Sequence, residues 1–226
     1  MRVKVYPWLG QQFVELSWEG NGEGTVEDET RELFARFAEH LKPFGLTFDN
    51  LARTRMFVRD MDSWYAGVHE RAVILKGNAR SVSSSHIWPD RLGPKARVAV
   101  DVMAMAPPPS PEEKVFKEYD PPTIVLRRMN WGGLLFLSGV TDMTHWTFDE
   151  QLPVIVKRLT DTLADGGGSW DKVQRATFLL HHEEKLDHLR TSFAKLVGAQ
   201  IPELEYTFVG TRQGKRLEVE LTAKLS

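Results

Sequence analysis

Hydrophobic and polar positions along the chain follow two rhythms, one of period two and one near 3.6, and they change over at turn residues. Met1–Pro7 and Phe13–Trp18 alternate as strands do. Thr25 with Asp28 forms a capping-box pattern, with Asp in place of Glu. A helix is expected to follow, with Leu33, Phe34, Phe37 and Leu41 on one face, ending at Pro43 and Gly45. Leu51–Val58 reads as a strand and Asp62–Leu75 as a second helix, with Trp64, Val68 and Ala72 in line. Two further alternating runs, Ser81–Trp88 and Arg97–Met105, flank a turn rich in Pro, Gly and Asp, which predicts a hairpin.

The second half repeats this order. Thr25–Asp60 falls on Thr147–His182 without a gap at an offset of 122 positions. Leu33, Phe34, Phe37 and Leu41 become Ile155, Val156, Leu159 and Leu163, and Arg53 becomes Arg175. Leu16-Ser17 meets Leu137-Ser138 at 121, Gly77 meets Gly198 at 121, and Arg97–Asp101 meets Arg216–Glu220 at 119. Offsets this steady across loops and helices indicate a tandem duplication of an α+β unit ordered β-β-α-β-α-β-β. Because strands and helices do not alternate singly, a doubly wound parallel sheet is disfavoured. Each unit is expected to be one mixed sheet with both helices on one face. The other face then needs a partner, first of all the duplicated half. The boundaries expected are 1–106, a Pro-rich spacer at 107–120, and 121–226, because proline neither donates to a ladder nor continues a helix.

Composition narrows the function classes. The chain has 226 residues, 42% hydrophobic and 27% charged, with formal net charge −2. No long basic run marks a nucleic-acid footprint. There are no cysteines, which excludes disulfides, thiol catalysis and thiolate metal sites. No apolar run approaches the roughly 18 residues of a spanning helix, so no membrane partner is expected. The N-terminal run lacks the apolar core of a signal peptide, and a cytoplasmic location is expected.

Candidate chemistry centres on Asn78–Met105. Arg80 stands at the mouth of the expected hairpin, and Asp101 interrupts a strand whose neighbours Val98, Val100 and Val102 read as buried. A carboxylate there must pair, accept hydrogen bonds or face a cavity. The arginine fork suits a small planar anion. Trp18 and Trp88 are expected near the same mouth. His181-His182-Glu183-Glu184 with His188 does not match metal-ligand spacing, and Glu183 and Glu184 suit a helix N-terminus. The serines of Ser83-Ser84-Ser85-His86 lack the glycines of a nucleophile elbow. Neither Gly20–Gly24 nor Gly166–Ser169 carries the lysine of a phosphate loop.

Together these residues resemble the reactive-intermediate deaminase family, RidA/YjgF, in each half. The first half carries Leu16-Ser17, Asp49-Asn50-Leu51, Phe57-Val58-Arg59-Asp60-Met61, Ala79-Arg80-Ser81 and Val98–Ala106. The second carries Leu135-Phe136-Leu137-Ser138-Gly139, Trp170-Asp171-Lys172-Val173 and Leu217–Ala223. The resemblance implies a chorismate-mutase-like fold, with three domains ringed around an apolar barrel and pockets between neighbours. It implies that the arginine of the A-R-S motif holds the carboxylate of an imino acid while a last-strand glutamate positions water. The product would be a 2-oxo acid plus ammonia, with no metal or organic cofactor. On that basis Arg80, Asp101 and Glu220 are the expected catalytic residues, and Ser17, Trp18, Ser138 and Gly139 the expected substrate-binding ones.

The chain also departs from the family pattern. Gln200–Tyr206 stands where the second A-R-S is expected and holds no arginine, and Trp18 replaces the glycine that Gly139 keeps. The working pocket is therefore expected to be composite, joining Arg80 to Ser138, Gly139 and Glu220, while the other interface would bring Glu205 near Trp18 and Asp101. The partners expected are a small carboxylate and further copies of the chain, most simply in a trimer, since three chains supply six domains for two rings. The alternatives are a non-catalytic sensor of small acids and a chorismate-type hydrolase.

Overall fold

The computed structural model describes residues 2–106, 109–210 and 214–225. Met1 of the expected first strand and Pro107-Pro108 of the expected spacer lie outside them. The first sheet holds β1 (Arg2–Trp8), β2 (Gln11–Glu19), β3 (Leu51–Val58), β4 (Val82–Ile87) and β5 (Val98–Ala106), in the order β1-β2-β5-β3-β4. Helices α1 (Val26–Leu41) and α2 (Met61–Ile74) are inserted between its strands. Thr25 and Asp28 make the expected reciprocal cap, each accepting from the other's backbone N–H.

The second sheet holds β6 (Val115–Lys117), β7 (Arg128–Trp131), β8 (Leu134–Thr141), β9 (Val173–His181), β10 (Glu203–Val209) and β11 (Leu217–Lys224), with helices α3 (Phe148–Asp165) and α4 (Leu186–Val197). Its order is β10-β9-β11-β8-β7-β6. In both sheets one pair is parallel, β3 with β4 and β9 with β10, and the remaining pairs are antiparallel. The fold is two tandem mixed-sheet units, each with its helices on one face.

The expected hairpin between Ser81–Trp88 and Arg97–Met105 does not form. β3 lies between β4 and β5, so these two strands never pair. β3, α2 and β4 make a parallel crossover, and the connection at 88–97 then passes over the end of β3, where Trp88 N–H donates to Val58 O at 2.9 Å and Arg59 N–H to Arg97 O at 3.0 Å. The turn chemistry was legible, but strand-to-strand adjacency was decided by the crossover helix. Within the expected spacer, β6 pairs with β7 at the edge of the second sheet.

Strand alternation divides each sheet into two faces. On β5, Val98, Val100 and Val102 join Leu33, Phe34, Phe37 and Val68 in a core beneath α1 and α2. Leu137, Phe178, Val219 and Leu221 do the same beneath α3 and α4 with Ile155, Leu159, Leu189 and Phe193. The opposite faces meet each other. At one end Phe13, Met103, Met105, Met129, Trp131 and Phe136 form an inter-sheet core, and at the other Phe57, Leu92, Ala99, Leu179 and Val209 do so. Between these apolar ends lies a polar layer.

Candidate functional site

The polar layer is built by inward-facing residues of β3, β4 and β11. Arg53 donates to Leu137 O at 3.0 Å and Leu221 O at 2.9 Å, so one guanidinium binds two strands of the opposite sheet. Glu220 sits beside it, 1% exposed. Its Oε2 lies 2.9 Å from Arg53 Nη1 and 2.7 Å from Arg55 Nη2, and its Oε1 accepts from Ser84 Oγ at 2.5 Å. Burial alone would raise the Glu220 carboxyl, but the two arginines and the serine outweigh it and hold it at about 2. Glu220 is a structural anion, saturated by its neighbours.

Two strand positions away on the same face, Glu218 is placed differently. It lines a cavity of about 580 Å³ with Trp64, Val68, Ser83, Gly139 and Lys215. A Cβ on Gly139 would lie 1.6 Å from Glu218 Oε1, so the glycine is what allows the carboxylate to lie against β8. The local backbone explains the position. Val140 pairs with Val219 and Leu137 with Leu221, so Ser138 and Gly139 together oppose Glu220 alone. This is a β-bulge, a device that re-aims side chains. Ser138 Oγ accepts from Ser83 N–H across the sheet boundary at 3.0 Å. Burial raises the Glu218 carboxyl and the ion pair with Lys215 pulls it back, leaving it above its ordinary value.

A second cavity, of about 350 Å³, adjoins the first and shares Ser83, Thr123 and Ile124 with it. Arg71, Lys76 and Arg80 line it, with Thr54 and Ser81. Arg71 is buried on α2, donates to Ser84 O at 3.1 Å and Ser83 Oγ at 3.4 Å, and burial lowers it to about 10. The hydroxyls of Thr54 and Ser81 are buried and have no hydrogen-bond partner among the described residues. Arg80 follows a short 3-10 turn, Gly77–Ala79, whose Gly77 takes a φ of +56°. Arg80 Nη1 donates to Glu118 Oε1 at 2.5 Å, so an internal carboxylate from beyond β6 occupies the guanidinium, and Glu118 Oε2 is buried without a partner among the described residues.

The expected residues therefore fall in five places. Arg80 lines the smaller cavity and Gly139 the larger. Ser138 and Glu220 lie buried behind β4. Ser17 and Asp101 line a separate cleft with Arg2, Lys4 and Arg55. There Arg91 pairs with Asp101 and donates to Ser17 Oγ at 3.0 Å. Trp18 does not face this cleft. The register of β2 on β5 is regular, Ser17 opposite Asp101 and Trp18 opposite Val100, so alternation turns Trp18 to the helix side. There Arg36 covers its ring at 4.7 Å and His40 meets it edge-on. Glu205 pairs with Arg175 at 3.3 Å and shares with Asp101 its pull on the Arg55 guanidinium, so of the expected pair it is Trp18, turned to the other face, that it does not meet. Sequence reasoning missed Glu218, Lys215, Arg71 and Glu118. Elsewhere, the ligand atoms of His181, His182 and Glu183 lie within 4.8 Å of one another, but Arg216 pairs with both Glu183 and Glu184.

No protein-family model matches the sequence, and no curated protein is similar enough to count as a relative. Solved structures do match. A crystal structure of chorismatase aligns over 94% of this chain and 74% of its own, with TM-score 0.67 and 15% identity. The chain shares the fold of that structure. Single-unit proteins match one half each. A YjgF/YER057c/UK114-family protein from Mycobacterium tuberculosis covers 50% of this chain and 99% of its own, at TM-score 0.44 and 17% identity. RidA from an Antarctic Psychrobacter covers 44% and 86%, at 0.41 and 16%. In this two-unit fold the larger cavity lies between β4 and α2 on one side and β8 and β11 on the other, and the smaller one is closed on the side of the second unit by Thr123, Ile124 and Leu126.

Proposed function

We propose that the chain hydrolyses a small carboxylate at the cavity pair between its two units, and that the reaction is deamination of an imine or enamine acid to a 2-oxo acid and ammonia. One observation carries the reading. Arg80, the buried Arg71 and two unpartnered hydroxyls converge on one cavity, and a carboxyl held above its ordinary value lines the cavity beside it. The first set suits a carboxylate. The second suits proton transfer. In this reading the substrate carboxylate displaces Glu118 from Arg80 and accepts from Thr54 and Ser81. Glu218 aligns a water against the C=N carbon and takes its proton. The C=N π pair moves to nitrogen, which takes that proton from Glu218. The carbinolamine hydroxyl then yields its own proton through Glu218 to the nitrogen as C=O forms, the C–N bond breaks and ammonia leaves. Positioning supplies most of the acceleration, because imines hydrolyse readily in water. Of the last-strand carboxylates, Glu218 rather than Glu220 or Asp101 serves the reaction, since the other two are committed to arginines.

Ammonia release from a freshly generated amino-acid imine tests the reading. Wild type should accelerate it, and Arg80→Ala and Glu218→Gln should each abolish most of the acceleration. Release at the buffer rate by wild type would remove it. A second reading is hydrolysis of a chorismate-type carboxylate, favoured by the likeness to chorismatase along nearly the whole chain. Pyruvate release from chorismate separates the two. The assembly proposed is a multiple of three chains, checked by light scattering. A mass near the 25.8 kDa of one chain would contradict it.

A further inference from the structure

Lys215 has no role in that reading, yet it lies in the larger cavity. Its side chain is 7% exposed and pairs with Glu218, itself 6% exposed, and both line the cavity. The rest of the wall there is mainly apolar, including Trp64, Tyr65, Val68 and Ile124. Among the described residues the other buried lysine is Lys114, whose ammonium donates to Leu51 O and Asn78 O at 2.8 and 2.7 Å and serves the backbone. A lysine–glutamate pair taken out of water gains little net stability from its charges. When the ammonium passes one proton across this contact to the carboxylate, the pair presents an amine beside a carboxylic acid. Those are the two groups that amine addition to a carbonyl requires.

We propose that Lys215 is a nucleophilic amine, and that the larger cavity captures an aldehyde or ketone with an apolar body as a Schiff base on Nζ. The Nζ lone pair forms a bond to the carbonyl carbon while the C=O π pair moves to oxygen, and a proton passes from nitrogen to that oxygen. Glu218, as the acid, then protonates the hydroxyl of the carbinolamine. Water leaves as the nitrogen lone pair closes the C=N bond. The amine, the acid and the carbonyl compound become an iminium, a carboxylate and one water, with no oxidant or reductant. The elevated Glu218 carboxyl supports its part as the acid. His86, fully buried behind it with Nδ1 at 3.8 Å from Glu218 Oε2, stays neutral because burial disfavours its cation, and so does not compete for the proton.

The inference does not rest on imine hydrolysis, where water is the nucleophile and Arg80 the anchor. The test uses the full chain and benzaldehyde, which carries no carboxylate. The protein is incubated at neutral pH, reduced with cyanoborohydride, weighed intact and mapped by peptide. The expected result is one saturable benzyl adduct on Lys215, formed about tenfold or more faster than on any surface lysine. Lys215→Met should remove it, and the pair-deleting variant Lys215→Met with Glu218→Gln guards against a fold left with one buried charge. Glu218→Gln alone should slow capture while Lys215 remains the modified residue. Adducts spread over the surface lysines in wild type would overturn the proposal without any variant. Trapping without ammonia release would remove the proposed hydrolysis and leave this inference standing, and the converse result would do the reverse.

Discussion

Glu218 and Glu220 are two residues apart on one strand face, yet they are expected to answer the same substitution in opposite ways. Glu220→Gln strips the counter-charge from Arg53 and Arg55 in the inter-sheet layer. Removing one member of such a buried set costs about 3–5 kcal/mol. Thermal or denaturant unfolding should show that loss. Glu218→Gln should instead cost turnover. Because it takes the Glu218 counter-charge from the buried Lys215, the unfolding change is read from Glu218→Gln combined with Lys215→Met, and should be the smaller one. A Glu220 variant that unfolds like wild type but is inactive would reverse the assignment. Arg80→Ala should change unfolding by less than about 1 kcal/mol, since its pair with Glu118 is part-exposed. Glu118→Gln frees the guanidinium and should tighten binding of small carboxylates in a titration, and unchanged affinity would mean that Glu118 is no competitor. The sequence put Arg80 forward plainly and named Glu220, whereas the cavity geometry favours Glu218. Pairing Arg97–Asp101 with Arg216–Glu220 sets Asp101 on Glu220 and leaves Glu218 opposite Ala99, so a match between carboxylates favoured the residue that the fold uses as a rivet.

At the scale of elements, the bulge in β8 accounts for the difference between the two halves. β2 runs in regular register with β5, whereas β8 inserts an extra residue at Ser138-Gly139 against β11. A bulge needs backbone room, and Gly139 supplies it without a Cβ. Gly139→Ala would drive a methyl into the Glu218 carboxylate. The clash reaches Oε1, Cδ and Cγ of Glu218, all within 3.0 Å, and the carboxylate is held by Lys215, so stability should fall by about 1–3 kcal/mol as Glu218 is pushed off its position. Assays of turnover and melting on the same variant check this, and an active Gly139→Ala would detach the bulge from the site. Element identity was legible because helices and strands follow their own periods, and Leu51–Val58 has the bounds expected for it. Strand adjacency was not. Alternation in β4 and β5 states that each is half of something, but the intervening β3 is set by the crossover through α2, which no local pattern encodes.

For the whole molecule, the inter-sheet layer makes stability depend on acid in a stated direction. Each unit is legible as a repeat, but how the units dock is not, because the residues that decide it, Arg53 and Arg55 against Glu220, look like ordinary strand charges until the two faces meet. The Glu220 carboxyl is held at about 2 in the folded chain against an ordinary value of 4.5. A group whose folded value is depressed binds fewer protons folded than unfolded between those two values, so its stabilisation is complete above about 4.5 and is lost as pH falls toward about 2. Protonation there removes the counter-charge from both arginines together, so the two units should separate before either loses its helix-covered core. Acidification from pH 5 to pH 2 should therefore expose the inter-sheet residues Trp131 and Phe136, read as a red shift in tryptophan emission, while helical circular dichroism persists to lower pH. Glu220→Gln, which has no proton to gain, should flatten the tryptophan transition over the same interval. Coincident loss of both signals in wild type, with an identical acid midpoint in Glu220→Gln, would show that the layer between the sheets does not govern how the two halves hold together.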